Sequence, residues 1–464
     1  MKLIASAYRN FKKREVKKLK RKFLLAILFG IMALLFVACG EGDDTESSGE
    51  ADTIETVGDD VEDATELTLW TFAPNHVAFY VDAAERWNED HSDQPIKLKA
   101  ETYPADQMHN NLLLALQSGK GAPDIVDIEA WNFTNFLKGE IQLEPMNDYV
   151  EPELENFVEA RFDIYAKDGN YYGLPTHVGA SVMYYNTEVL DEAGVDIDSI
   201  ETWDDYMKAG EEVVANTDAV MTSVFPGESL IHHQLVSQQG SDYYDENGEV
   251  RVNHQESINA LQLLSDMLDA GIANVAPGNN PYSEEFYSFL NGGGAASVNM
   301  PTWYMSQIKD NMPDLEGKMV VRPMPAFKEG GDRSAAIGGT GTAVTSQAEN
   351  IDFAKEFLAY AKLTEESNIK LWTVLGFDPP RHDVWDHPDV LEDNEYFQFF
   401  GDDIFEVIQE LQDEINPILA SPHAKDVQTE LNTNTLNNVL RDKSQSPQEA
   451  LDQAQDMLES QTSD

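Results

Sequence analysis

The chain is short of cysteine: one in 464 residues, so no internal disulfide can form and the fold must stand without one. It is also short of cations. Against 84 Asp and Glu stand 31 Lys and Arg, a net charge of −53, and a surface of that sign repels nucleic-acid phosphate. Long apolar runs are scarce too. The one present, Phe23 to Ala38, has 16 residues, fewer than the roughly 20 that a spanning helix needs. Catalytic signatures are missing: no His-Glu-x-x-His and no Gly-x-Ser-x-Gly, and no cysteine remains for catalysis. His232 and His233 have no spaced partners, so neither a metal site nor a cofactor is expected. A pair of carboxylates acting as a glycosidase is the surviving enzyme alternative, because 84 acids will place some close together.

What is present begins with the N-terminus. Residues 1–22 carry ten Lys/Arg and one acid, the apolar run follows, and Cys39 ends it. A basic region, an apolar region and a small residue before the break describe an export signal over 1–38; left uncleaved, the run would instead anchor the chain. Leu35-Phe-Val-Ala-Cys39-Gly40 resembles the lipobox of bacterial lipoproteins, with Phe36 where leucine is usual. The resemblance implies that Cys39 carries lipid and tethers the protein to the outer face of the cell membrane. Losing 1–38 removes a net +9, ten bases against one acid, and leaves −62. So much charge of one sign is tolerated best in concentrated salt, where the Debye length falls to about 3 Å, and points to a saline habitat, the alternative being an ordinarily acidic surface protein. Residues 40–66 hold twelve acids and no base, so 39–66 is expected to be an unfolded tether.

From Leu67 the pattern changes. Leu67–Trp70 reads as a strand, Val77, Tyr80, Val81, Ala84 and Trp87 recur at helical spacing, and Ile96–Ala100 alternates as a second strand. A helix over Met108–Gln117 stops at Ser118-Gly119, and Asp124–Ile128 is a short buried strand. The order β-α-β-α-β predicts an α/β fold with mostly parallel sheets. With 464 residues and 42% of them hydrophobic, two lobes are expected rather than one core. Later segments continue the alternation: Tyr172–Asn186 is strand-like, helices span Thr202–Asn216, Ser257–Ala270 and Ile351–Lys362, and Ala295–Asn299 is a strand. Ser446-Pro-Gln-Glu449 opens a C-terminal helix.

Five segments together resemble the extracellular solute-binding proteins of ABC sugar importers. They are Leu67–Phe72, Gly121–Glu129, Tyr172–His177 running on to Tyr184-Tyr-Asn186 and Thr202-Trp203, Gly292–Ser297 with Pro301-Thr-Trp303, and Arg322–Ala326 with Gly338–Gly341 and Phe353–Leu358. The resemblance runs from about residue 65 to the C-terminus. Leu114–Ser118, His177–Ala180 and Leu375–Arg381 suggest the subgroup that takes arabinose, arabino-oligosaccharides or lactose. It implies a periplasmic-binding-protein-like fold. Lobe one would be 67–175 plus 326–365 and lobe two 180–322 plus 375–464. The hinge crossings would fall near 175–180, 323–327 and 363–377. It also implies a monomeric receptor that passes a mono- or oligosaccharide to permease subunits.

A sugar ring has hydroxyls around its rim and apolar C–H faces, so its site needs planar hydrogen-bonding groups and aromatic planes. Loops after parallel strands supply them. Glu129 is expected to accept sugar hydroxyls, or else to cap the next helix. Trp131 and Phe72 either stack on the sugar or pack as core. His76 is expected in the cleft, since a strand-end loop seldom buries imidazole. His177 either donates to sugar at the hinge or serves as a satisfied structural histidine. Trp303 is the stacking plane from lobe two. Gly339, within Gly338-Gly-Thr-Gly341, lets backbone approach ligand or simply makes a flexible turn; no Gly-Lys-Ser/Thr follows, so it is no P-loop.

Overall fold

The computed structural model describes residues 51–462, apart from 59, 60, 62, 246, 393, 412, 413, 415–418 and 420. The expected export signal, Cys39 and the first part of the acidic tract lie outside the described residues.

Two sheets organise two α/β lobes. The larger has six strands: β1 (Thr53–Val57), β2 (Thr65–Thr71), β3 (Ile96–Thr102), β4 (Ile125–Glu129), β5 (Leu174–Pro175) and β9 (Thr340–Val344), in the order β1-β3-β2-β4-β9-β5. The smaller has three: β6 (Ser181–Asn186), β7 (Ser297–Pro301) and β8 (Met319–Arg322), in the order β7-β6-β8. Alternation along the strands sends side chains to opposite faces. Leu67, Leu69, Leu98 and Ile125 join one core with the helices His76–Asp90 and Ile351–Leu363. Trp70, Val126 and Ile128 join another with the helices Ala105–Ser118 and Ala130–Phe136. Lobe two has a single large core around its sheet.

Parallel pairing, expected to dominate, is confined in these sheets to β3-β2-β4; β1, β9 and β5 run antiparallel to their neighbours, as do all three strands of the smaller sheet. A strand is forced parallel only when a helix carries the chain back over the same sheet. β9 and β6 arrive from the other lobe, so nothing fixes that direction.

The expected tether needs correction at its end. Thr53–Val57 pairs in register with β3, from Thr53 opposite Thr102 to Val57 opposite Leu98. Thr-Ile-Glu-Thr-Val is rich in β-branched residues and so β-prone, and β3 offers it a free row of backbone groups.

The first crossing runs from β5 to β6, and Asp378 accepts from the backbone of Gly179 (3.2 Å) and Ala180 (2.9 Å) within it. The return comes later than the expected 323–327. Met324 N donates to Arg333 O (2.7 Å), Ala326 N to Glu201 O (2.9 Å) and Ser181 N to Ala335 O (3.0 Å), so this stretch stays with lobe two. The chain rejoins the large sheet at Thr340. The helix Glu365–Leu375 straddles the lobes, giving Leu371 and Leu375 to one core and Ile369 and Trp372 to the other.

Candidate functional site

The C-terminal ends of β2 and β4 open towards lobe two, and the side chains there follow from strand alternation. Asp127 and Glu129, two apart on β4, share a side of the sheet but differ in setting. Asp127 is fully buried and accepts from Thr71 Oγ1 (2.9 Å), Tyr80 OH (2.7 Å) and Thr342 Oγ1 (2.8 Å), with His76 Nδ1 at 3.0 Å. Burial alone would raise its pKa; the His76 contact, then the Lys362 charge and the Tyr80 bond, hold it well below the carboxylate range. Lys362 is equally buried, donates to Thr176 Oγ1 (2.9 Å), and is pushed down to about 8 by burial against the pull of Asp127.

His76 is therefore not in the cleft. It is 4% exposed, tied to Asp127 and packed edge-on against Phe377 at 5.6 Å. A carboxylate 51 residues away makes burying this imidazole favourable. His177 also packs edge-on against Phe377 (5.1 Å), is buried, and has no partner for either ring nitrogen. Burial, then Arg161 and His76, push its pKa well below the usual value. It is thus not a satisfied structural histidine.

Glu129 is half-buried. Its backbone N–H donates to His109 Nε2 (3.1 Å) and its Oε2 accepts from Asn132 Nδ2 (3.0 Å). It occupies the N-cap position of the following helix without making a side-chain cap bond. Burial, then the carboxylate of Glu228 in lobe two, raise its pKa to about 7, against Lys425 and Asn132. Phe72 lies beside it, its ring 5.4 Å from that of His109. Trp131 reaches across to lobe two, 4.9 Å from His233, and packs against that lobe's core.

Trp303, half-buried, touches the cores of both lobes and stacks with Tyr282 at 6.4 Å and 17°. Tyr282 is 43% exposed, and the fields of Glu228 and Glu129 both reach its hydroxyl. Gly339 has φ 137°, and a Cβ there would sit 2.6 Å from Arg161 Nη2 and 2.8 Å from Tyr165 OH. These side chains, rather than a ligand, fill the space that glycine leaves. The structure thus gathers Phe72, Glu129, Trp131 and Trp303 at the interlobe face, places Gly339 behind them, and buries His76 and His177 against Phe377, with the His76 ring still 6.2 Å from that of Phe72.

The lobes touch across this cleft. Thr134 Oγ1 donates to Ser421 O (2.8 Å), Lys138 Nζ to Pro422 O (3.2 Å), and Lys425 pairs with Asp106 (2.9 Å). A cavity remains at the seam between Trp131, His233, Tyr244, Gly338 and Ser421. Three residues of this face were not anticipated from sequence: Glu228, Tyr282 and Asn432, all from lobe two. The Asn-Thr run at Leu431–Thr435, poor in helix formers, was the available signal for the last.

A cleft walled by aromatic rings and carboxylates, between two α/β lobes, suits capture of a polar solute. The family model described as bacterial extracellular solute-binding protein matches residues 73–367. The chain belongs to that family. Among relatives, an arabinooligosaccharide-binding protein of Halalkalibacterium halodurans is 58% identical over 410 residues, 88% of this chain and 92% of its own. One of Bacillus subtilis is 44% identical over 442 residues, 95% and 98% of the two chains. Among solved structures, a binding protein from B. animalis subsp. lactis in complex with beta-1,6-galactobiose superposes with a TM-score of 0.72 at 20% identity, covering 86% of this chain and 98% of that one. The GacH receptor of Streptomyces glaucescens gives 0.71 at 20% identity, covering 86% and 99%. At that identity these two establish the fold of the solute-binding protein and nothing about its ligand.

Proposed function

We propose that this solute-binding protein captures a sugar oligomer between its lobes, arabino-oligosaccharides being the ligand class, and hands it to the permease subunits of an ABC importer. One observation carries the reading: acceptor groups and aromatic planes from both lobes, Glu129 and Trp131 from one and Trp303 and Tyr282 from the other, converge on one cleft. Such a site is complete only when the lobes close, so ligand favours closure by its higher affinity for that state. The names of the two relatives support the choice of arabino-oligosaccharides. The protein acts as a monomer and turns nothing over. Thermal unfolding with arabinotriose at 100 times its Kd should show about 2.7 kcal/mol of added stability. No stabilisation by arabinotriose, or release of dye from a chromogenic arabinoside, would end this reading.

The basic-apolar-Cys39 order supports an export signal over 1–38 and a lipid on Cys39 that holds the protein on the outer face of the membrane. Cys39→Ala should release it to the medium or leave the precursor uncleaved; normal processing and retention would refute the anchor. The acidic surface supports a saline habitat, in which screening raises the melting temperature between about 0.1 and 2 M NaCl. A flat response would refute the habitat alone.

A further inference from the structure

Each lobe presents to the cleft one carboxylate with an amide beside it. In lobe one the pair is Glu129 and Asn132, 3.0 Å apart. In lobe two it is Glu228 and Asn432, whose side-chain amide helps hold the Glu228 charge. Glu228 sits just ahead of the helix Leu230–Ser237, its Oε1 accepting from Leu230 N at 3.2 Å. Asn432 stands on an unusual element. After the helix Ala424–Glu430 the chain widens into π-helical turns over Leu431–Thr435 and Asn437–Arg441. Asn437 Nδ2 donates to Asn432 O (2.9 Å) and to Pro226 O (3.1 Å), fastening the widened turn to the loop that carries Glu228. Turns of this kind are rare and frequently mark functional sites. The Asn432 Oδ1 is buried and has no partner.

We infer that Glu129–Asn132 and Glu228–Asn432 are the two jaws of a clamp that takes adjacent hydroxyls of a neutral sugar and turns sugar acids away. A carboxylate only accepts hydrogen bonds and an amide N–H only donates, whereas a hydroxyl does both. A pair of neighbouring hydroxyls therefore donates to the carboxylate and accepts from the amide, and bonds to the charged partner are the stronger ones. With the cleft empty the two carboxylates oppose one another, and hydroxyl donors placed between them relieve that repulsion. A uronate would add a third negative charge. The cation that reaches both carboxylates is Lys425, already paired with Asp106 at 2.9 Å. The other titratable groups facing the pair are His109, Tyr165 and Asp106 itself on the lobe-one side and Tyr243 and Tyr282 on the lobe-two side.

The clamp rests on the sugar-binding reading above, and calorimetric titration separates the two. The parent should bind arabinotriose and ignore trigalacturonate. Glu228→Gln should weaken arabinotriose about tenfold or more, the scale of a bond to a charged group, while the melting temperature of the ligand-free protein is not lowered, since the change relieves the repulsion between the two carboxylates. Asn432→Asp, which replaces the donor by a third carboxylate, should cost more. Parent affinity should rise with pH through about 7, because hydroxyl donors favour the ionised carboxylates, and the rise should shrink in Glu228→Gln. Parent-like affinity in Glu228→Gln, a lowered melting temperature with unaltered affinity, or equal binding of trigalacturonate by the parent each overturns the clamp. A parent that binds no neutral sugar overturns the sugar-binding reading and the clamp together.

Discussion

Asp127 and Glu129 are two residues apart on one strand, and their surroundings have opposite logic. Around Asp127 every polar group found has its partner: three hydroxyls, an imidazole and a nearby ammonium converge on one carboxylate. Around Glu129 one amide partners the carboxylate and another carboxylate faces it from the second lobe. The first region is complete without ligand and serves as scaffold. The second is left wanting donors, which is what a receptor keeps for its solute. A buried charge is thus no sign of function by itself; an incompletely satisfied one is.

The comparison can be broken by making the same chemical change at both positions. Asp127→Asn should cost about 3–5 kcal/mol in urea unfolding, because it strips the charge facing Lys362 and His76 inside the protein. A loss under about 1 kcal/mol would mean that the knot is not scaffold. Trp303→Ala should weaken arabinotriose binding by about 1–3 kcal/mol, the worth of a stacked ring with its buried area. Unchanged affinity would remove it from the site. Glu129→Gln should have the smallest effect on stability, and of opposite sign. Its folded pKa is raised, to about 7, so the ionised carboxylate disfavours folding at any pH above that and not below the unfolded value of about 4. The variant should therefore melt higher than the parent at pH 8 and equally at pH 4. A lower melting point at pH 8 would make Glu129 scaffold as well.

Local features were legible in the sequence. Gly119 ends its helix with φ 74°, Thr202 and Asp205 form a reciprocal capping box, and Ser446 and Glu449 form another. Each depends on residues a few positions apart, which is the range a pattern can see. The helix Ile351–Leu363 and the strand at Ile96 were readable from periodicity for the same reason. Burial of His76 was not, because its partner is far along the chain and sits in the middle of a strand. Glu228, Tyr282 and Asn432 were equally hidden. Their place at the cleft is set by how lobe two folds and closes, and 99 residues separate Glu129 from Glu228 alone. Strand β1 was missed for another reason: its β-branched pentapeptide has no period-two pattern and lies in a tract whose acidic composition argues for disorder.

That small strand has a practical consequence. Among the described residues β1 is the only strand beyond β3 in the large sheet, so Thr53–Val57 occupies the sheet's outer margin. An unpaired margin is a template on which another chain can add a strand. A shortened protein beginning at Leu67, where the acidic tract ends, would leave the backbone of Leu98 to Thr102 bare. It should self-associate in a concentration-dependent way, visible as larger species in gel filtration. A version beginning at Ala51 keeps β3 covered, ends the sheet on a five-residue strand carrying Glu55, a short charged margin, and should remain dispersed.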